Sequence, residues 1–213
     1  HGCRRLELAG EKSDWISIAN SRSNNKDMIR FTDLLISIAL VIFAFPVLLV
    51  VLIMAYLDTG HPIFAQVRVG RRGCAFVLYK FRTMHVATES RPTHLVNADS
   101  VTRFGYALRK YKLDELPQLF NVIKGDMSLV GPRPCLESQL DVIKERNKLG
   151  VNDFLPGITG LSQLNGIDMS NPVLLAETDK KMLEDLTYFK YIKYLLLTFL
   201  GKGSGDKVNR KIG

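Results

Sequence analysis

The sequence has 213 residues, of which 46% are hydrophobic, and carries a formal net charge of +8 at pH 7. This length is typical of one domain, and the charge suits an anionic partner such as a membrane surface, a nucleic acid or a phosphorylated substrate. The three cysteines and four histidines show no metal-ligand spacing, which argues against a cysteine- or histidine-based metal centre.

The N-terminal part combines a polar segment with a long apolar run. Residues 1–25 contain no hydrophobic run, so we expect a flexible or added arm there. Leu34–Leu57 is a run of 24 uncharged residues, long enough to span a bilayer as one helix. Pro46 divides it into halves that each rise only about 18 Å, and proline favours a bend. Two topologies therefore stay open for residues 26–58: a kinked transmembrane helix and a re-entrant helix.

A short hairpin is predicted after the apolar run. Ile63–Val69 and Phe76–Phe81 are rich in β-formers and flank a Gly-Arg-Arg-Gly turn. Two stretches, Thr59–Thr88 and Ser100–Leu113, hold several basic residues and no acid. These stretches are compatible with solvated faces beside anionic lipid and also with a phosphate-binding pocket.

A carboxylate pair stands directly after the second basic stretch. Apolar residues at helical spacing over Leu113–Ile123 predict a helix that ends at Gly125. Asp114 is a suitable N-cap and Glu115 would complement the helix dipole, which is a purely structural interpretation. Beside basic residues, such a pair can instead hold a divalent cation with substrate phosphates, and one carboxylate can act as a covalent nucleophile. Arg133 lies between two prolines, which stiffen the backbone around a guanidinium suited to phosphate.

Four ordered motifs carry a resemblance to a known family. They are KFRTM (Lys80–Met84), LDELPQLFNV (Leu113–Val122), GDMSLVGPRP (Gly125–Pro134) and PGITGLSQLNG (Pro156–Gly166). Together they resemble the bacterial sugar transferases, and within them the small monotopic phosphoglycosyl transferases. The resemblance implies an α+β, mainly helical fold with a re-entrant membrane helix broken at Pro46, a small β-hairpin and interfacial amphipathic helices. It places a catalytic domain at residues 59–200, on the cytoplasmic face of the bacterial inner membrane, and leaves 201–213 as a basic tail.

The resemblance also implies a reaction. Family members move a sugar 1-phosphate from a UDP-sugar to a polyprenyl phosphate in the membrane lipid and release UMP. Asp114 matches the aspartate that attacks phosphorus and forms a covalent phosphosugar intermediate. Glu115 matches the glutamate expected to bind Mg²⁺, with Asp114 as a second candidate ligand. Such a step would begin the assembly of a bacterial glycan.

Four basic residues in or near the family motifs are expected to bind substrate phosphates: Lys80, Arg82, Arg109 and Arg133. A structural salt bridge is the alternative for Arg82. The glycines of the motifs, Gly125, Gly131, Gly157 and Gly160, fit backbone turns better than a Gly-rich phosphate loop. The segment YFKYIKYLLLTFLGKG near the C-terminus fits an interfacial helix or a core helix with a basic edge.

Departures from the family pattern limit what the resemblance implies. Phe45 stands where serine usually precedes the proline, which removes a hydroxyl able to satisfy backbone groups at a bend. Lys181-Met182 replaces a usual aromatic residue, which leaves the sugar unassigned. Two other functions stay compatible with the sequence: a non-enzymatic peripheral membrane protein that binds anionic lipid, and a metal-dependent nucleotide-sugar diphosphate hydrolase. Nucleic acid is not an expected partner, because no nucleic-acid-binding motif accompanies the charge.

Overall fold

The computed structural model describes residues 23–86 and 100–203, with side chains from residue 27 onward. Most of the predicted arm and of the predicted basic tail lies outside the described residues. The described part is mainly helical with small sheets, as the α+β prediction expects. The helices are α1 (Ser23–Thr59), α2 (Arg103–Lys110), α3 (Gln118–Lys124), α4 (Leu140–Lys148), α5 (Leu161–Leu164), α6 (Pro172–Glu184) and α7 (Tyr188–Phe199), and the strands are β1 (Ile63–Val69), β2 (Ala75–Phe81), β3 (Ser128–Val130) and β4 (Gly157–Thr159).

The predicted hairpin is confirmed. Strands β1 and β2 pair antiparallel from Ile63 opposite Phe81 to Val69 opposite Ala75. A short 3-10 turn joins them. The alternation of β2 buries Leu78 in the main core and turns Phe81 toward a second cluster formed with α1 and α2. Lys80 shares the face of Leu78 and therefore looks toward α3.

The helix predicted around the carboxylate pair is divided at Pro117. Leu113–Glu115 forms a 3-10 turn, and α3 begins after Pro117, which occupies the N-cap position. Proline has no N–H to donate and its ring crowds the preceding turn, so it is favoured at the start of a helix, which is where Pro117 lies. The interpretation of Asp114 as the N-cap is therefore wrong. The predicted end at Gly125 is confirmed, because its φ of 98° is the left-handed conformation of a helix stop.

Asn121 ties α3 to β2. It is 0% exposed, its Nδ2 donates to Val77 O at 2.7 Å, and its Oδ1 accepts from Tyr79 N at 3.2 Å. The side chain thus pairs with the backbone edge of β2 as a neighbouring strand would. Because Lys80 follows Tyr79 directly, this contact fixes Lys80 beside the residues that precede α3.

A second small sheet is absent from the sequence prediction. Strands β3 and β4 run parallel, with Ser128 opposite Gly157 and Val130 opposite Thr159. Three-residue strands are too short to show the alternation by which strands are recognised. A Cβ on Gly157 would lie 2.0 Å from Gly131 N. Glycine is needed at these two positions for close backbone approach, whereas a turn with positive φ explains Gly125.

The N-terminal end of α1 docks on the globular part of the chain. Arg30 donates to Val122 O at 2.8 Å, at the C-terminal end of α3. Asp33 is 1% exposed and accepts hydrogen bonds from Leu129 N at 2.9 Å and Tyr191 Oη at 2.7 Å. This end of the apolar helix is therefore held by polar contacts as well as by packing.

The C-terminal end of α1 packs on the same globular part. Val51 and Ala55 are buried against Phe81 and Leu108, while apolar side chains midway along the helix are exposed, Phe43 by 84%. The segment Asp27–Thr59 is long and apolar enough to cross a membrane, by length and composition. The helical conformation continues through Pro46, so a re-entrant break stays a prediction.

Helix α7 has one buried and one exposed apolar face. Tyr191 and Tyr194 are buried, whereas Phe189, Leu196 and Phe199 are 81%, 58% and 89% exposed. The helix thus contributes to the core through its tyrosines and presents an apolar stripe to its surroundings. The burial of the tyrosines agrees with a core helix, and a membrane-interfacial role of the exposed face stays a prediction.

We predict that Gly157→Ala prevents normal folding, because the new methyl group would meet backbone atoms of Gly131 rather than a movable side chain. The matched control is Gly60→Ala, where φ is +72° but no atom lies within 4 Å, so only backbone strain of about 1–2 kcal/mol is added. Thermal unfolding of both variants is the measurement. Equal losses of stability would contradict the close-approach explanation.

Candidate functional site

A pocket rich in positive charge lies where β1, β2, β4 and the 3-10 turn Leu113–Glu115 meet. Its polar lining consists of Arg68, Lys80, Glu115, Gln118 and Arg133, completed by Leu78, Pro134, Gly157 and Ile158. Three cations face one carboxylate there. This excess of positive charge in a partly enclosed site favours an anionic ligand such as a phosphate group.

Glu115 lies at the centre of this charge cluster. Its Oε1 accepts from Arg133 Nη2 at 3.2 Å and lies 3.9 Å from Lys80 Nζ. Its side chain is 15% exposed. The neighbouring Asp114 is buried, at 5% exposure. The structure therefore brings Lys80, Glu115 and Arg133 into contact, with Asp114 adjacent in the same 3-10 turn.

The backbone that carries Arg133 is held at every carbonyl from Pro132 to Cys135. Gly157 N donates to Pro132 O and Val69 N to Cys135 O. Arg146 Nη1 donates to Arg133 O at 2.8 Å, and Arg68 Nη1 donates to Pro134 O at 3.2 Å. The prediction of a stiff segment around Arg133 agrees with these contacts.

Arg146 is itself fixed by a buried ion pair. Its Nη2 lies 2.6 Å from Asp179 Oδ2, and the two side chains are 3% and 0% exposed. Ser162 Oγ donates to the other Asp179 oxygen at 2.6 Å. Helices α4, α5 and α6 thus converge on one carboxylate that stabilises the backbone under Arg133.

Arg82 and Arg109 do not line this pocket. Arg82 Nε donates to His61 O at 3.0 Å, and its guanidinium lies 5.3 Å from the centre of the Phe64 ring. Arg109 Nε donates to Thr83 Oγ1 at 2.9 Å. Among the described residues Arg82 contacts no acidic side chain, so its local role is through a carbonyl and a ring. Substrate binding by Arg82 and Arg109 stays a prediction.

Two pocket residues were not assigned from the sequence. Arg68 lies in a predicted basic stretch, but its position at the pocket depends on the pairing of β1 with β2, where it lies opposite Phe76. Gln118 belongs to the LDELPQLFNV motif, but an uncharged amide gives no electrostatic signal in a sequence. Arg68 also donates to Gln66 Oε1 at 2.6 Å, which orients its guanidinium at the pocket wall.

Binding of Mg²⁺ by Glu115 and Asp114 stays a prediction. No group of three or more potential metal-ligating side chains occurs in residues 23–86 or 100–203. Mg²⁺, however, commonly takes one or two carboxylates and completes its shell with phosphates and water. Both described contacts of Glu115 involve Oε1, so Oε2 is the oxygen that Glu115 would offer to such an ion.

Comparison with known proteins shows the family to which the chain belongs. Residues 24–201 match the family described as Bacterial sugar transferase. The chain is 38% identical to the "Uncharacterized sugar transferase EpsL" of Bacillus subtilis over 170 residues, 79% of this chain and 84% of that protein. It is 36% identical to the undecaprenyl-phosphate galactose phosphotransferase of Salmonella typhimurium, over 68% of this chain and 34% of that protein. It is 35% identical to the UDP-glucose:undecaprenyl-phosphate glucose-1-phosphate transferase of Xanthomonas campestris pv. campestris, over 87% of this chain and 41% of that protein. The chain thus spans less than half of the last two relatives.

We predict that Asp179→Asn lowers the free energy of unfolding by about 3–5 kcal/mol, because it leaves the buried Arg146 charge uncompensated. The matched control is Glu145→Gln, which removes an exposed ion pair with Lys148 and should cost no more than about 1 kcal/mol. Denaturant unfolding of both variants tests this. A loss for Asp179→Asn as small as that of the control would contradict the role given to this pair.

Proposed function

The chain belongs to the bacterial sugar transferase family, and we propose that it transfers a sugar 1-phosphate from a UDP-sugar to undecaprenyl phosphate and releases UMP. The observation that carries the proposal is the pocket in which Lys80, Arg68 and Arg133 surround Glu115. Relatives named for undecaprenyl-phosphate sugar transfer support the two substrates. The product would be an undecaprenyl-diphosphate sugar, an early intermediate in building a bacterial glycan.

The proposed chemistry proceeds by two displacements at one phosphorus. A carboxylate oxygen of Asp114 attacks the phosphorus that bears the sugar, the bond to the bridging oxygen breaks, and UMP leaves with that oxygen. The resulting aspartyl-phosphosugar is then attacked by a phosphate oxygen of the lipid acceptor, which restores the carboxylate. Splitting a transfer in this way is ordinary covalent catalysis with ping-pong kinetics.

The basic residues of the pocket have distinct tasks in this proposal. Lys80 and Arg133 neutralise the phosphoryl oxygens, so that a negatively charged carboxylate can approach phosphorus. Arg68 adds a third cation from the opposite strand. For this they must exchange Glu115 for substrate oxygens as partners, because Glu115 accepts from Arg133 in the described structure. A Mg²⁺ ion held by Glu115 and Asp114 would supply further charge neutralisation on the diphosphate.

Arg109 has a feature that supports ligand binding outside the pocket wall. Its Nη1 is buried and has no hydrogen-bond partner within the described part of the chain. An unpaired buried guanidinium nitrogen is costly, so an anionic partner supplied with the substrate would stabilise it. For Arg82 the substrate role stays part of the proposal and rests on its place in the KFRTM motif.

The packing of α1 supports a re-entrant membrane helix. Arg30 and Asp33 hold one end on the globular part, and Val51 and Ala55 hold the other. A straight spanning helix would separate its two ends by the bilayer, yet both ends contact one small domain. We infer that both ends lie on the cytoplasmic face of the inner membrane, where nucleotide sugars are made and where the acceptor headgroup is reached.

We predict that Asp114→Asn lowers the rate of UMP formation at least about 10³-fold, because a neutral amide cannot act as the nucleophile. The assay uses a panel of UDP-sugars, Mg²⁺ and undecaprenyl phosphate in nanodiscs. Asp185→Asn is the matched control, since Asp185 pairs with Lys190 at the surface and does not line the pocket. UDP as the product would contradict attack at phosphorus, and acceptor-independent UMP release would indicate a hydrolase.

A topology measurement tests the re-entrant arrangement. Cysteines introduced at Asp27 and His61, at the two ends of α1, should both resist a membrane-impermeant maleimide added outside intact cells and both react after lysis. Val47→Cys is the control within the hydrocarbon and should react poorly in both conditions. Labelling of one end from outside would show that the helix spans the membrane.

A further inference from the structure

Gln118 is a buried amide in the pocket for which the proposed chemistry has no task. It begins α3 and is 3% exposed, and it lines the pocket together with Arg68, Lys80 and Arg133. Within the residues that the structure describes, its side chain forms no hydrogen bond, and its amide atoms are not among the fully buried polar atoms that lack a partner, so the amide tip reaches the open space of the pocket. An amide that faces a pocket and bonds to no protein group is free to bond to water or to a ligand group that enters the pocket.

The same helix offers an internal comparison. Asn121 lies one turn further along α3 and is also buried, but both ends of its amide bond to the backbone of β2. Its role is therefore structural. Gln118 has the same functional group at a similar depth, and it faces the pocket rather than a strand. This contrast indicates that the Gln118 amide is reserved for a ligand.

We propose that Gln118 is a substrate-contacting residue that donates an amide N–H to a phosphoryl oxygen of the bound diphosphate. This assignment rests on the proposed function for the identity of the diphosphate as part of a nucleotide sugar. The position among three cations favours a phosphoryl oxygen over a neutral part of the substrate. A neutral donor can orient a phosphoryl oxygen by a hydrogen bond without increasing the positive charge of the pocket, whereas a fourth cation would increase it.

This role has a consequence for stability that separates it from a structural one. Gln118→Met keeps the length of the side chain and removes the unpaired amide. Folded stability should then change little, because no hydrogen bond within the protein is lost. Ligand affinity should fall in the same variant. A residue that supports the fold would show the opposite pattern, with a lower melting temperature.

The test uses the full-length protein in nanodiscs with Mg²⁺ and measures binding of UDP and of inorganic pyrophosphate by calorimetry. For Gln118→Met we expect roughly 10-fold weaker binding of both probes, the loss of one hydrogen bond to a charged group. For Gln118→Glu we expect a larger loss, roughly 100-fold, because a carboxylate would face the phosphates. Gln139→Glu is the matched control: its Oε1 accepts from Leu136 N at 2.9 Å outside the pocket, and binding should be unchanged.

Several results would overturn the inference. Wild-type affinity in both Gln118 variants, a lowered melting temperature for Gln118→Met, or weaker binding of UDP with unchanged binding of pyrophosphate would each do so. Absence of pyrophosphate binding by the wild-type protein would also overturn it. Failure of the proposed function is a separate outcome: no UMP from any UDP-sugar, with Gln118-dependent pyrophosphate binding intact, would refute the transferase and retain Gln118 as an anion contact.

Discussion

The pocket depends on one short backbone segment, residues 131–135, whose position is fixed by hydrogen bonds and close packing. Two prolines restrict its dihedral angles, each carbonyl from Pro132 to Cys135 accepts a hydrogen bond, and Gly131 lies against Gly157 too closely for any side chain. Arg133 is the single long side chain that this segment directs toward Glu115. The backbone position of Arg133 is therefore fixed by the fold, and in the proposed reaction its guanidinium would exchange Glu115 for a phosphoryl oxygen.

The same scaffold connects the pocket to the membrane segment. Arg30 of α1 donates to the last carbonyls of α3, the helix that begins at Gln118. Asp33 accepts from the strand that leads into Gly131 and from Tyr191 of α7. Burial, together with the nearby Asp33 carboxylate, raises the pKa of Tyr191, so its phenol stays protonated and keeps donating this hydrogen bond. The residues of the proposed site, the long apolar helix α1 and the exposed apolar stripe of α7 are thus parts of one packed unit.

The sequence predicts the features that repeat or cluster locally. The hairpin follows from β-forming runs around a turn, and the end of α3 follows from the glycine at position 125. Charge and motif context identify Asp114, Glu115, Lys80 and Arg133 as candidate site residues. What sequence reasoning missed depends on distant contacts. Strands β3 and β4 are too short to show the alternation of apolar and polar residues by which a strand is recognised.

The start of α3 and the lining of the pocket are also not predictable from local sequence patterns. Pro117 lies at the start of α3 rather than inside a longer helix, and apolar spacing alone does not show where a helix starts. The positions of Gln118 and Arg68 at the pocket depend on how β1, β2 and α3 pack around it. Arg82 lies outside the pocket, because its guanidinium donates to the carbonyl of His61, just before β1.

The most direct test of this account is intact-protein mass spectrometry after exposure to a UDP-sugar and Mg²⁺ with no lipid acceptor. The account predicts a covalent gain equal to one sugar phosphate, located on a peptide that contains Asp114, which disappears when undecaprenyl phosphate is added. Sustained turnover without such an adduct, or an adduct on a different residue, would contradict it.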